Sequence, residues 1–285
     1  MLHVEQAGPF TTVQDLGRPG LASLGVSPSG AFDRAAAHQA NALVGNRDDA
    51  AVLEVLAGGL VLRVDGPGRH VAVTGAAAPA LVDGRPVGSG HPVLLRDGQR
   101  LRIGRATHGA RVYLAVAGGL LTDRVLGSRS ADTLSGLGGG RVPDGARLPV
   151  GEPTGGIGTL DVPWLSRLGE VTVDLVLGPR DDWFTPSAVR TFLETAWTVS
   201  AECDRVGVRL VGPALERSRS DELPSEPCVR GSVQVAADGL PIVFGPDHPV
   251  TGGYPVVGVV VDHDTDRLAQ LVPGDVVRFR AVPAR

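Results

Sequence analysis

LRDGQRLRI (Leu95–Ile103) and LVPGDVVRF (Leu271–Phe279) are two versions of one pattern. In each, a polar turn feeds a run of strand-forming residues. Laid one on the other, Gly98 falls on Gly274 and Arg102 on Arg278. A turn-strand unit that returns in this way points to an internal duplication. It predicts two similar β-barrel halves, residues 1–150 and 151–285, meeting within the Gly/Pro-rich stretch 136–169.

The rest of the chain agrees with a β-rich architecture. Val- and Leu-rich runs at 60–64, 69–74, 92–95, 99–103 and 111–116 are separated by turn signals such as Asp83-Gly84 and Asp97-Gly98. Further runs stand at 170–177, 206–211, 231–235, 241–244, 256–261 and 276–279. Helices are few. One is expected from Ala31 to Val44, capped by Ser29 and stopped by Gly45, with Phe32, Ala36, Ala40 and Leu43 on one face. A second opens at Thr185-Pro186, with Val189, Phe192, Leu193 and Ala196 as its apolar stripe. A third, short one runs from Thr265 to Leu271. A dozen short strands with three helices suit a barrel better than a doubly wound sheet.

Composition narrows the chemistry. The chain has 285 residues, a net charge of −4 and no run long enough to cross a bilayer, which disfavours nucleic-acid or membrane partners. No basic-then-apolar leader opens it, and its two cysteines, Cys203 and Cys228, are no disulfide framework, so a cytoplasmic location is expected. All 27 basic residues are arginine. Without lysine there is no P-loop, no Schiff base and no attachment point for biotin. Any phosphate must be held by guanidinium forks or backbone N–H groups.

Several signatures fail. GVSPSG (Gly25–Gly30) places its second glycine one position late for a nucleophile elbow. Asp262, Asp264 and Asp266 lack the glycine and the terminal glutamate of a calcium loop. The seven histidines show no zinc-like pairing, and no metal is expected. What remains is polar residues on glycine-rich turns. FGPDHPVTGGYP (Phe244–Pro255) offers His248, Thr251 and Tyr254 beside Gly252 and Gly253, whose N–H groups could meet an anion. The same loop also reads as a structural turn with Tyr254 packed on a barrel. GPFTTVQDLGRPG (Gly8–Gly20) leaves two readings open as well, a solvated hairpin or a site at a strand end.

GPFTTVQDLGRPG, LGVSPSGAFDRAAAHQANALVGN (Leu24–Asn46), YLAVAGG (Tyr113–Gly119) and LGSRSAD (Leu126–Asp132) resemble, in order, the allophanate hydrolase subunit 2 family. GPRDDWF (Gly178–Phe184), SAECDRVGVRLVGP (Ser200–Pro213) and the Phe244–Pro255 loop continue the likeness. That family includes the C-subunit of bacterial 5-oxoprolinase, a kinase-inhibitor antagonist and the carboxyltransferase part of urea carboxylase. The resemblance implies two cyclophilin-like β-barrel halves. It implies a partner of the allophanate hydrolase subunit 1 type, the B-subunit of an oxoprolinase, possibly joined by an A-subunit. It implies a part in ATP-dependent opening of 5-oxoproline to glutamate. The other activities it implies are biotin-dependent carboxyl transfer, with biotin on another chain, and antagonism of a histidine-kinase inhibitor.

By the same resemblance Gln14, Asp15 and Arg18 belong to a site or interface, with Asp15 expected to lock Arg18. His248, Tyr254, Asp204 and Asp15 are the expected proton carriers. Gln14, Arg18, Asp33, Asn41, Arg129, Arg205, Thr251, Gly252 and Gly253 are the expected binding residues, with Arg18 and Arg205 clamping phosphate.

Overall fold

A computed structural model describes residues 1–88, 90–158, 169–219 and 221–284. Part of the expected joining stretch, 159–168, lies outside the described residues. The chain divides into two units. One comprises Met1–Arg18, Ser29–Asp132 and Gly136–Arg167; the other comprises Pro19–Pro28, Thr133–Ser135 and Leu168–Arg285. Two short segments inserted in the first unit's sequence therefore belong to the second.

The first unit wraps two sheets around one core. A six-stranded sheet runs Arg147–Leu148, Leu2–Ala7, Leu60–Val64, Arg100–Ile103, Ala80–Val82, Arg85–Val87. A five-stranded sheet runs Phe10–Gln14, Val52–Leu56, His108–Val116, Arg69–Ala77, Val93–Leu95. Strand His108–Val116 is buried on both faces. Val112, Leu114 and Val116 point into the core between the sheets, while Tyr113 and Ala115 point at helix α1 (Arg34–Leu43). That two-sided burial is why the run is apolar without alternation. The helix covers the sheet with small residues, Ala36, Ala37 and Ala40, so backbone and sheet approach closely.

The second unit is a closed barrel of seven strands in the order Glu170–Leu177, Val256–Val260, Ser232–Val235, Pro241–Phe244, Gly207–Val211, Trp197–Val199, Val276–Ala281. One pairing, Glu170–Leu177 with Val276–Ala281, is parallel. A two-stranded ribbon, Glu226–Pro227 with Thr251–Gly252, stands beside it. Helix α2 (Pro186–Glu194) is capped by Thr185 as expected and closes one end, Phe192 stacking on Phe279 at 4.5 Å. Ala196 lies beyond that helix and is exposed.

The paired turns carry the same hydrogen bonds. Gln99 N–H donates to Arg96 O, and Asp275 N–H to Val272 O. The Gln99 side chain accepts from Arg96 N–H at 2.9 Å, and the Asp275 side chain accepts from Val272 N–H at 3.0 Å. Gly98 and Gly274 sit at φ +75° and +93°, a region costly for any residue with a Cβ. Two helix expectations are corrected. Asp33, not Ser29, caps α1, its carboxylate accepting from Ala36 N–H at 2.9 Å. Ser29 instead takes φ +54° and accepts from Arg18. The third helix, α3, is Asp262–Leu268, starting three residues early because Asp262 and Asp264 favour its first turn. No helix among the described residues is long and apolar enough to cross a membrane.

Candidate functional site

In the first unit the opening motif is a clamp on residues 125–131. Asp15, at the end of strand Phe10–Gln14, accepts from Gly17 N–H at 2.8 Å, Ser128 Oγ at 2.5 Å and Ser130 Oγ at 2.6 Å through Oδ1. Its Oδ2 accepts from Arg129 N–H at 2.7 Å. Four donors fill a carboxylate's capacity. Asp15 therefore holds the segment in place. Arg18 does not pair with it. Its buried guanidinium donates to Ser29 Oγ at 3.2 Å, to Val125 O at 3.3 Å and to Ser130 O, so it ties the same segment from another side. Gln14 Nε2 adds bonds to Ala131 O and Thr12 Oγ1, both at 3.0 Å.

The clamp presents Arg129. Its backbone is fixed by Asp15, and its side chain lines a pocket of about 350 Å³ with Asn46, Asp49, Gly118, Arg124 and Thr154. Arg129 Nε is buried and has no hydrogen-bond partner among the described residues. Burial and the like charge of Arg124 push the Arg129 guanidinium below its usual range, against the opposing pull of Asp15 and Asp49. The opposite wall is set by Asn41, buried on α1. Its Nδ2 donates to Ala50 O at 2.8 Å, and its Oδ1 accepts from Asn46 Nδ2 at 3.0 Å. Asn46 in turn accepts from Gly118 N–H at 2.9 Å. Asp33 lies elsewhere, at the start of α1, where its N–H donates to Tyr113 Oη at 2.8 Å. The Tyr113 hydroxyl donates to Glu54, and burial with that carboxylate pushes its pKa well up.

In the second unit Asp247 is wholly buried and pairs with Arg205, Nε to Oδ2 at 2.8 Å and Nη2 to Oδ1 at 3.0 Å. Thr133 donates to the same carboxylate through N–H at 2.9 Å and Oγ1 at 2.8 Å. Ser27 Oγ donates to His248 O. Thus both inserted segments, 19–28 and 133–135, are anchored on the Asp247–His248 turn. His248 is buried, stacked on Phe244, with Nδ1 at 2.8 Å from Pro249 O. A carbonyl only accepts, so Nδ1 carries a proton, and this bond fixes the orientation of the ring.

The other expected residues of this unit are dispersed. Asp204 is an exposed turn residue whose carboxylate accepts from Val206 N–H and Gly207 N–H. Thr251 and Gly252 pair with Pro227 and Glu226 in the ribbon. A Cβ on Gly252 would stand 2.3 Å from Gln234 Nε2, so the glutamine side chain would have to move. A Cβ on Gly253 would meet only Leu223 O, at 3.5 Å. Tyr254 is exposed, with the Arg217 guanidinium 5.7 Å from its ring. The phosphate clamp expected of Arg18 and Arg205 gives way to internal ties in both cases. Asp247, Thr133 and Asn46 were not singled out by sequence. Asp247 and Asn46 stand inside the recognised strings, and Thr133 directly follows one.

Residues 24–281 match the carboxyltransferase domain family, subdomains A and B. The chain belongs to that family. It is 38% identical to the C-subunit of 5-oxoprolinase from Escherichia coli over 98% of this chain and 90% of that one. It is 31% identical to urea amidolyase of Saccharomyces cerevisiae over 98% of this chain, which spans 16% of that larger protein. Among solved structures, urea amidolyase of K. lactis superposes with a TM-score of 0.91 at 27% identity, over 99% of this chain and 19% of that one. These relatives are subunits or parts of enzymes, and the K. lactis protein shares the β-rich fold of this carboxyltransferase-family chain.

Proposed function

We propose that this chain is a subunit of an ATP-dependent 5-oxoprolinase, which hydrolyses a lactam to glutamate together with a partner of the B-subunit type. The observation that supports it is the 38% identity, across nearly all of both chains, to the C-subunit of a 5-oxoprolinase. Opening a lactam adds water across a resonance-stabilised amide. ATP, the second substrate of the assembled enzyme, supplies the drive. With no lysine, and with Arg18 and Arg205 held internally, this chain's contribution to phosphate handling is small, and the nucleotide falls to its partners. Its own part is to hold the anionic substrate and carry protons. In the first unit Arg129, whose buried Nε has no hydrogen-bond partner among the described residues, offers the cation, and in the second unit His248, with Nδ1–H fixed by Pro249 O, offers a proton carrier.

The complex with its two partner proteins is expected to hydrolyse ATP only when 5-oxoproline is present, and to release glutamate in equal amount. His248→Ala lowers that turnover by about tenfold or more, with assembly kept. The second reading, carboxyl transfer from a biotinylated partner, is supported by the TM-score of 0.91 to a urea amidolyase. Carboxylation of a urea-like amide, with no oxoproline-dependent ATP use, replaces the first reading by the second.

A further inference from the structure

The pocket that Arg129 lines has a chemistry of its own. We infer that it is a receptor for a small carboxylate, with the Arg129 guanidinium as its fork. The acids at the pocket rim are already paired, Asp49 with Arg47 at 2.9 Å and Glu152 with Arg69 at 3.1 Å. The Arg124 guanidinium is bonded to Gly127 O, a neutral acceptor, at 2.7 Å. Arg129 has a buried Nε with no partner among the described residues. Two guanidinium groups therefore share the pocket without a bonded carboxylate, like charges lying close together. An anion relieves both the repulsion and the unmet donor.

The kind of anion follows from the backbone. A phosphate site is usually a nest of N–H groups. Here the glycine-containing run of the pocket wall forms no such nest, because its N–H groups are committed: Gly118 to Asn46 Oδ1, Gly119 to Val116 O, Leu120 to Ala51 O and Leu121 to Pro149 O. Recognition is left to planar guanidinium, whose paired donors match the two oxygens of a carboxylate. A volume of about 350 Å³ is at the small end for ligand pockets, which suits a molecule of metabolite size. By contrast, a larger cavity of about 800 Å³ in the second unit is lined largely by valines, and its buried cation Arg230 is already held by Asp262 at 2.9 Å and Asp266 at 2.6 Å.

The identity of the carboxylate rests on the oxoprolinase reading. 5-Oxoproline carries one carboxylate beside its lactam, and the pocket takes that end. The full chain is titrated calorimetrically with 5-oxoproline, with pyrrolidin-2-one, which is the same ring without the carboxylate, and with inorganic phosphate. Wild type is expected to bind 5-oxoproline and neither of the others. Arg129→Ala weakens binding by about tenfold or more, and Arg129→Lys weakens it less. Asp15 holds only the Arg129 backbone N–H, so these substitutions leave the clamp in place, and an unchanged melting temperature checks that. Equal affinity of wild type and Arg129→Ala for 5-oxoproline overturns the inference, as does binding of pyrrolidin-2-one or phosphate in its place, or no binding at all. Failure of the oxoprolinase reading shows separately, as an assembled enzyme without oxoproline-dependent ATP hydrolysis.

Discussion

Asp247 shows how a single buried charge organises its surroundings. Its carboxylate has no solvent exposure, and the Arg205 guanidinium facing it is 3% exposed. Removing one member of such a pair leaves the other ion desolvated without compensation, which costs more than the pair contributes when intact. Asp247→Ala is expected to lower unfolding stability by about 3–5 kcal/mol, read by urea titration of the full chain. The double variant with Arg205→Ala recovers part of that loss, because no orphan charge remains. A loss below about 1 kcal/mol in the single variant rejects this account. Nothing local in GPDHP signals the pairing, since Arg205 lies 42 positions away. Sequence marks residue type, whereas a partner of that kind is set by the fold. The same limit explains the helix cap. Ser29 and Asp33 are both good capping residues. What separates them is that Arg18 takes the Ser29 hydroxyl and Asp33 reaches Ala36 N–H.

Strands were legible because burial on one or both faces forces their composition. Glu170–Leu177, for instance, alternates buried Val171, Val173 and Leu175 with more exposed neighbours. The ribbon Glu226–Pro227 with Thr251–Gly252 left no such mark. Two residues a side are too few for a period, and one of its ties to the rest of the unit is an ion pair. Arg180 donates to both oxygens of Glu226, Nε lying 2.9 and 3.0 Å away. That bonding holds the Glu226 carboxyl below its usual range. A carboxylate whose pKa falls on folding contributes stability above its unfolded value, and that contribution is lost as pH falls through the folded one. Wild type is therefore expected to melt higher than Glu226→Gln at neutral pH. The gap closes below about pH 4, where the unfolded carboxyl is already protonated. Both side chains are partly exposed, so the gap is small and shrinks with added salt. A gap that persists unchanged into acid contradicts the electrostatic account.

For the molecule as a whole, the duplicated turn was the informative signal. Gly98 and Gly274 recur because the same left-handed backbone is needed twice, and the residue after each glycine closes the turn in the same way, by its N–H and by a side-chain oxygen. The candidate pocket was legible only in pieces. Asn41, Asp15 and Arg129 stand far apart in sequence, and two of the three act by holding backbone rather than by touching a ligand. The residues singled out amount to a guanidinium with an unbonded Nε and an oriented imidazole, with no lysine and no nucleotide loop, which is short of what coupling ATP to lactam opening demands. The missing groups have to come from another chain. Co-expression with a partner of the B-subunit type, followed by size-exclusion chromatography with light scattering, is expected to give one joint species larger than this chain's own. Exposed apolar side chains such as Leu24, Leu126, Leu134 and Val229 supply surface that such a contact can bury. If the two proteins elute separately at micromolar concentration, the shared-site argument fails, because a catalytic set divided between chains works only while they stay together.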